Sequence, residues 1–418
     1  MIQPPDVSGT TGPDGASVPV VDVVCLGESM VTFLPRLPGR LADVPSFDRA
    51  IGGAESNVAC TLARTGHTTR WISRVGTDGF GDHLLTAIAD CGVDVAHVRR
   101  DPLRPTGVYF RTAGDRATGT HEVAYYRAGS AASAMTADGL DAAALRAGRI
   151  LHLSGITAAL SADCLGLLRE LTARRPGRPL LSFDVNYRPG LWRDTARARV
   201  LLDLARGADL VFVGDDEARD AWGLHGPRAI SRALPEPQLL VVKQGKAGAT
   251  VFRRTGGPDF RRTGEPDLRR TGETDLRRTG ELDGRRDDAT ATFVPALNVD
   301  LVAATGAGDA FAAGFLSATL RGLPDRDRLR HGPSVGRRRP HRPRRSRHPA
   351  EPAAGRPLGR PRQHGLGETA PRSRLDRRRR IRPQGRRGGT YAVNERCERT
   401  TGRRAPGEGD AGRSEVPV

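Results

Sequence analysis

From Val21 onward, short apolar runs alternate with stretches of helical periodicity, and this alternation restricts the fold more than any other property of the chain. Val-Asp-Val-Val-Cys-Leu-Gly at 21–27 is an apolar run closed by glycine, the pattern of a buried strand. Residues 55–65 then read as a helix, with Gly66 as its stop signal. The pattern continues with a strand near 71–75, a helix near 81–91, a strand near 150–153 and a helix near 161–174. It goes on through a strand at 179–184, a helix at 194–206 and strands at 209–213 and 238–243, then a hairpin and a helix at 308–321. Strands separated by helices pair in parallel, and strands covered on both faces read as unbroken apolar runs. The prediction is an α/β fold whose mostly parallel central sheet is covered by helices on both faces. Two stretches, 29–48 and 105–128, break the alternation. They are richer in Thr, Tyr, Phe and Val, and predict a small strand-built appendage.

Charge excludes one broad class for this body. The chain carries a net +18, but residues 333–418 hold 24 Arg against 8 acidic residues, which leaves the first 332 residues at +2. A basic nucleic-acid-binding surface is therefore not a property of the main body. The five cysteines (25, 60, 91, 164 and 397) are scattered without CxxC spacing, which predicts reduced thiols and neither a disulfide framework nor a zinc site. Residues 1–20 have no Lys or Arg and no apolar run, and predict a disordered leader rather than a signal peptide. No stretch of about 18 apolar residues is present to cross a membrane. The expectation is a soluble cytoplasmic protein.

Two segments stand outside the alternation. Residues 253–286 are a tandem octad, Arg-Arg-Thr-Gly-Glu-Pro-Asp-Leu and close variants of it. One apolar residue in eight builds no solenoid core, so the repeat reads as an expanded surface loop between Thr250-Val251-Phe252 and Ala291-Thr292-Phe293-Val294. Residues 333–418 contain eight residues of the set Leu, Ile, Val, Phe and Met, too few to bury a core. One reading is an Arg-rich arm for nucleic acid, the only part of the chain that suggests such a partner. The other is a reading-frame shift near His331-Gly332, because GC-rich sequence read out of frame yields mainly Arg, Pro, Gly and Ala. Composition favours the second, with a disordered tail replacing the true C-terminal part.

Two motifs carry chemistry. In Thr305-Gly306-Ala307-Gly308-Asp309-Ala310-Phe311, small residues permit a tight turn into a helix whose free N–H groups form an anion hole. Asp309 stands at its mouth, placed either to take a proton from a hydroxyl or simply to cap the helix. In Ile51-Gly52-Gly53-Ala54-Glu55-Ser56-Asn57, paired glycines precede a helix and admit close backbone approach, and Asn57 offers a donor and an acceptor to hydroxyls. Arg74-Val75-Gly76-Thr77-Asp78-Gly79-Phe80-Gly81 follows about 20 residues later.

Together these resemble the two signatures of the PfkB, or ribokinase-like, carbohydrate kinases, over about 21–332 apart from the octads. The resemblance implies a three-layer sandwich with a small β lid from 29–48 and 105–128. It also implies a sugar site at Gly52, Gly53 and Asn57, and a catalytic loop of Gly306, Ala307, Gly308 and the base Asp309. Cys25-Leu26-Gly27-Glu28-Ser29-Met30, Tyr125-Tyr126-Arg127-Ala128-Gly129-Ser130 and Phe183-Asp184-Val185-Asn186-Tyr187-Arg188-Pro189 are similar to the 2-keto-3-deoxygluconate kinase branch. There Tyr109, Tyr125 and Arg127 would close from the lid and Arg188 from the main domain, with the guanidinium forks suited to a sugar acid's carboxylate. Fructose or ribose is the alternative substrate. Val242-Lys243-Gln244-Gly245-Lys246-Ala247-Gly248 resembles the turn beside the ATP phosphates, marked by Gly245 and Gly248, and Glu217 matches the acid associated with Mg²⁺. Gly214 stands where that pattern has Asn, and Ala303 where it often has Asp. The cofactors implied are ATP and Mg²⁺, and the resemblance allows a homo-oligomer joined through the lid.

Overall fold

The computed structural model describes residues 17–112, 122–192, 198–254, 289–296 and 306–335. The leader to residue 16, most of the octad repeat, the loop holding Ala303 and Thr305, and the Arg-rich segment from 336 lie outside these residues. All described residues belong to one compact unit, which ends at Pro343.

The strands are β1 (Val21–Leu26), β2 (Met30–Pro35), β3 (Phe47–Gly52), β4 (Thr69–Ile72), β5 (Arg74–Gly76), β6 (Arg99–Asp101) and β7 (Val108–Arg111). They continue as β8 (Val123–Tyr126), β9 (Gly148–Ser154), β10 (Leu180–Asp184), β11 (Leu210–Gly214), β12 (Leu239–Lys243), β13 (Gly248–Arg253) and β14 (Thr290–Pro295). The α-helices are α1 (Ala54–Arg64), α2 (Gly79–Ala89), α3 (Ala142–Arg146), α4 (Gly155–Ala158) and α5 (Ala162–Thr172). After them come α6 (Val200–Arg206), α7 (Asp215–Trp222), α8 (Pro227–Ala233), α9 (Ala307–Leu320) and α10 (Asp325–Val335).

Eight strands form the central sheet in the order β14-β13-β12-β11-β10-β9-β1-β4. From β12 to β4 every neighbouring pair is parallel, and β13 and β14 close one edge as antiparallel strands. Alternation along each strand divides the core into two layers. Val24, Leu26, Leu151, Leu153, Phe183, Val211, Val213 and Val242 pack with α5, α6, α7 and α8. Val23, Cys25, Ile150, Phe212 and Val241 pack with α1, α2, α9 and Leu329 of α10. The result is the predicted α/β sandwich.

The run expected as one strand near 71–75 is two. The chain leaves the central sheet after Ile72, and β5 pairs instead with β6 in a two-stranded ribbon. Residues 193–197 of the expected helix 194–206 lie outside the described residues, and its remainder contains α6. A second sheet, β3-β2-β7-β8, draws on the two stretches that broke the alternation. An aromatic cluster fills it: Phe33 stacks on Phe110 at 4.8 Å, while Phe47 and Tyr126 meet Phe110 edge-on at 5.3 and 5.9 Å. Such pairs each contribute about 0.5–1.5 kcal/mol beyond the area they bury, so this small sheet has its own source of rigidity.

Helix α9 is apolar on nearly every side, and α10 covers one of them. The two meet at glycine: a Cβ on Gly314 would lie 2.3 Å from the His331 carbonyl oxygen, and one on Gly332 2.5 Å from the Phe311 ring. Asp325, at the start of α10, is paired with Arg253 at the end of β13, whose Nε donates at 2.7 Å. Arg254 donates to the carbonyls of Pro237 and Ser231. Arg253 and Arg254, the first two residues of the octad repeat, are thus inside the packed fold.

Candidate active site

The parallel strands all end at one edge of the sheet, and their C-terminal ends carry polar residues where their interiors are apolar. Glu28 follows β1, while Ser154 ends β9, Asp184 ends β10 and Lys243 ends β12; β11 ends instead in glycine, Gly214. β1 lies between β4 and β9, so strand order reverses there, the position at which open α/β sheets take ligands. Helices α1 and α9 bring their N-terminal turns together at this edge. The Asn57 Nδ2 on α1 donates to the Asp309 Oδ2 on α9 at 2.8 Å.

The turn into α9 supplies an anion cradle. Gly306 is its N-cap at φ 82°, a left-handed conformation that glycine adopts without a Cβ penalty. The first intrahelical bond runs from Ala310 N–H to Gly306 O at 2.9 Å, so the N–H groups of Ala307, Gly308 and Asp309 precede it. Asp309 is half-buried, and desolvation pushes its carboxyl up to about 6. The Asn57 hydrogen bond opposes that rise, Asp184 adds to it, and Lys243 and Arg188 restrain it. A carboxylate with this affinity accepts a proton more readily than an ordinary aspartate while remaining mostly ionised at neutral pH.

Beside the cradle lies a charge cluster that joins Glu217 and Arg188 to two residues the sequence reading did not name as site residues, Lys243 and Asp184. Lys243 Nζ donates to both oxygens of the buried Asp184 at 3.0 and 3.3 Å, and lies 3.7 Å from where a Cβ on Gly308 would stand. Burial alone would disfavour its ammonium, but Asp184 and Glu217 reverse this and carry its pKa above the ordinary lysine value. Glu217 is held above the usual carboxylate range by burial, against the pull of Lys243. Its Oε2 accepts from the Gly214 N–H at 2.8 Å, capping α7, and its Oε1 faces Arg188 Nη1 at 3.5 Å. A Cβ on Gly214 would stand 2.4 Å from Asp216 Oδ1 and 3.1 Å from Glu217 Cγ, so this glycine accommodates the folded-back acid. Arg188 is half-exposed and also donates to the Tyr187 carbonyl at 3.0 Å. Between Asp184 and Arg188, buried Asn186 takes a positive φ of 43°. Among the described residues no three His, Cys, Asp or Glu side chains form a cation site alone.

The glycine pair is as closely packed as its sequence suggests. A Cβ on Gly52 would be 2.2 Å from the Tyr109 hydroxyl, and one on Gly53 would be 2.4 Å from the Glu28 carbonyl oxygen. Tyr109 is buried against Tyr125, with ring centroids 5.5 Å apart, and the Arg127 guanidinium lies 5.8 Å from the centre of the exposed Tyr125 ring. Arg127 forms a salt bridge with buried Glu28, which also accepts from Ser130 Oγ at 2.7 Å. Beneath them Glu55 is fully buried; its Oε1 accepts from Ser154 Oγ and Thr157 Oγ1 at 2.7 and 2.9 Å, and desolvation pushes it up to about 7.

Gly52, Gly53, Asn57, Tyr109, Tyr125 and Arg127 thus form one wall of the edge, and Gly306, Ala307, Gly308 and Asp309 another, joined by the Asn57–Asp309 bond. Glu217 and Arg188 sit with Lys243 and Asp184 on the third side. Gly245 (φ 57°) and Gly248 (φ 137°) shape the turn after Lys243, and a Cβ on Gly248 would meet the Val294 carbonyl at 2.2 Å. Asp184 and Glu28 lie within the motif runs of the sequence, but their partners are 59 and 99 residues away along the chain, so spacing carried no signal for them.

The profile of pfkB family carbohydrate kinases matches residues 21–264 and 286–337, passing over part of the octad repeat. A 2-dehydro-3-deoxygluconokinase of Bacillus subtilis (strain 168) is 33% identical over 322 residues, covering 76% of this chain and 88% of that protein. A probable chloroplastic fructokinase-6 of Arabidopsis thaliana is 30% identical over 328 residues, 76% of each. The crystal structure of a PfkB protein from Polaromonas sp. JS666 superposes with a TM-score of 0.62 at 34% identity, covering 76% of this chain and 95% of that one. A ribokinase II from E. coli, in complex with ATP and Mg²⁺, shares the fold with a TM-score of 0.58 at 22% identity, over 75% and 91% of the two chains. On this match, over more than half its length, the chain belongs to the pfkB family of ATP-dependent sugar kinases.

Proposed function

We propose that this kinase phosphorylates 2-keto-3-deoxygluconate, with Asp309 as the general base. The observation that carries this reading is Arg188, a half-exposed guanidinium electrostatically coupled to Asp309 and Glu217 at the strand ends. A sugar acid brings a carboxylate that this fork recognises, whereas with a neutral sugar the guanidinium keeps, as anionic partner, only its long 3.5 Å contact with Glu217. Asp309 takes the proton of the substrate's terminal hydroxyl as that oxygen attacks the γ-phosphate. The N–H groups of Gly306, Ala307 and Gly308 then stabilise the developing charge, and Lys243 adds a fixed positive charge beside them. The residues fit the cofactors: a helix N-terminus opened by Gly306 and flanked by an ammonium suits phosphate. Asp184 and Glu217 offer two carboxylates to Mg²⁺, which takes few protein ligands and keeps phosphate oxygens and water. When bound, MgATP supplies the phosphoryl group and the metal neutralises its charge.

A second reading is fructokinase activity. Arg127 favours it, because Glu28 already neutralises this guanidinium. Steady-state kinetics with 2-keto-3-deoxygluconate, fructose and ribose, in the wild type and Arg188→Ala, separate the two. The expected result is the highest kcat/KM for the sugar acid, with that preference falling tenfold or more in the variant. A charge-assisted bond contributes about 1.5–3 kcal/mol. Higher efficiency on fructose, or equal losses on both substrates, would assign the neutral sugar.

A further inference from the structure

A pair of thiols outside the kinase site has an activated geometry. Cys60 is buried in the second turn of α1, and Cys91 is half-buried two residues beyond the end of α2. Cys91 packs against the core cluster that contains Cys60, and Cys60 stands one turn before Arg64 on the same face of α1, so the two thiols are neighbours. Arg64, one turn further along α1, donates from Nη2 to Cys91 Sγ at 3.0 Å, and in its thiol form Cys91 donates to the Ala87 carbonyl at 3.3 Å. The turn carrying Cys91 lies against α1: a Cβ on Gly92 would be 3.8 Å from the Ala63 Cβ. The other cysteines among the described residues, Cys25 and Cys164, are buried.

We infer that Cys91 is a peroxide-reactive thiol and Cys60 its resolving partner, so that a hydroperoxide converts the pair into an intramolecular disulfide. The electrostatics agree with the geometry. The neighbouring Cys60 thiol and then the Arg64 guanidinium draw Cys91 below the ordinary thiol range, against burial and the charge of Asp90. Cys60 is pushed up by the neighbouring Cys91 and by burial, so it keeps its proton. In the first step the Cys91 thiolate attacks the peroxide. The S–O bond forms as the O–O bond breaks, sulfur loses two electrons, and the departing oxygen takes a proton and leaves as water or an alcohol. In the second, Cys60 sulfur attacks Cys91 Sγ. The S–S bond forms, the S–O bond breaks, and the Cys60 proton leaves with the hydroxyl as water. The bond joins α1 to the turn after α2 one helical turn from Asn57, the residue that holds Asp309.

The test treats the full-length protein with stoichiometric hydrogen peroxide and follows each cysteine by peptide mass spectrometry. The expected product is a Cys60–Cys91 linked peptide. Cys60→Ser should instead leave Cys91 as a sulfenic acid that dimedone captures. Arg64→Gln, a change at an exposed helix end, should slow Cys91 oxidation several-fold by lowering its thiolate fraction. Oxidation that reaches Cys91 no sooner than buried Cys25 and Cys164 would overturn the inference. So would an absence of the linked peptide, or a rate unchanged in Arg64→Gln.

Discussion

Asp309 and Asn57 lie 252 positions apart and meet at 2.8 Å, and that contact gives the site a pH dependence that can be calculated in sign. If Asp309 is the base, as proposed, it works as a carboxylate, and burial raises its pKa to about 6. Activity should therefore climb through pH 6 and level off above it. Asn57 bonds to the ionised form and lowers the pKa, so Asn57→Ala should move this acidic limb to higher pH. Asp309→Asn should cut kcat by about 10²–10⁴ while sugar binding changes only a few-fold. A kcat profile measured from pH 5 to 8 checks all three, and near-normal turnover of the Asn variant would remove Asp309 from the chemistry. At this scale the sequence exposed the residues that sit in small-residue motifs, Gly52, Gly53, Asn57 and Gly306 to Asp309. It did not expose Lys243, Glu28 or Glu55 as site residues. Their importance comes from burial and from partners on other strands, and no local pattern encodes either property.

Elements were legible where burial repeats with a period. The strands β1, β9, β10, β11 and β12 announce themselves because both faces are covered and most positions are apolar. The break at Ser73 was not legible, because β4 and β5 read as one run and only pairing with β6 separates them. Helix α9 is apolar on nearly every side, whereas α10 is polar along most of its length, and its sequence gives no comparable sign that it covers α9. Its contact depends on backbone approaching backbone at Gly314 and His331. Gly314→Val should therefore push α10 away and destabilise the protein by about 1–3 kcal/mol, the usual cost of overpacking. Gly79→Ala in α2, where a Cβ meets nothing within 4 Å, serves as the neutral control. Thermal melts compare them, and equal melting temperatures would mean that α10 does not press on α9.

Across the whole molecule, the question is which parts of a 418-residue chain the fold needs. The family match passes over 265–285, inside the octads, yet the repeat begins within β13. Arg253 pairs with Asp325 and Arg254 donates to Ser231 and Pro237, so these two arginines tie β13 to α10, to α8 and to the segment after α8. Hydrogen bonds to charged groups contribute about 1.5–3 kcal/mol each, which makes the first Arg-Arg expensive to remove. The later octads are different in kind. Loop-closure cost grows only with the logarithm of length, so shortening the connection from β13 to β14 by three octads gains about 1 kcal/mol at most. Deleting 261–284 should therefore leave the melting temperature equal or slightly higher, with sugar phosphorylation unchanged. Deleting 253–286 should lower the melting temperature by several degrees, because it also cuts the Asp325 pair. Melting curves and kinase assays on the two deletions decide it. If the shorter deletion melts lower or turns over more slowly than the intact chain, octads two to four pack on the kinase domain and belong to its working structure.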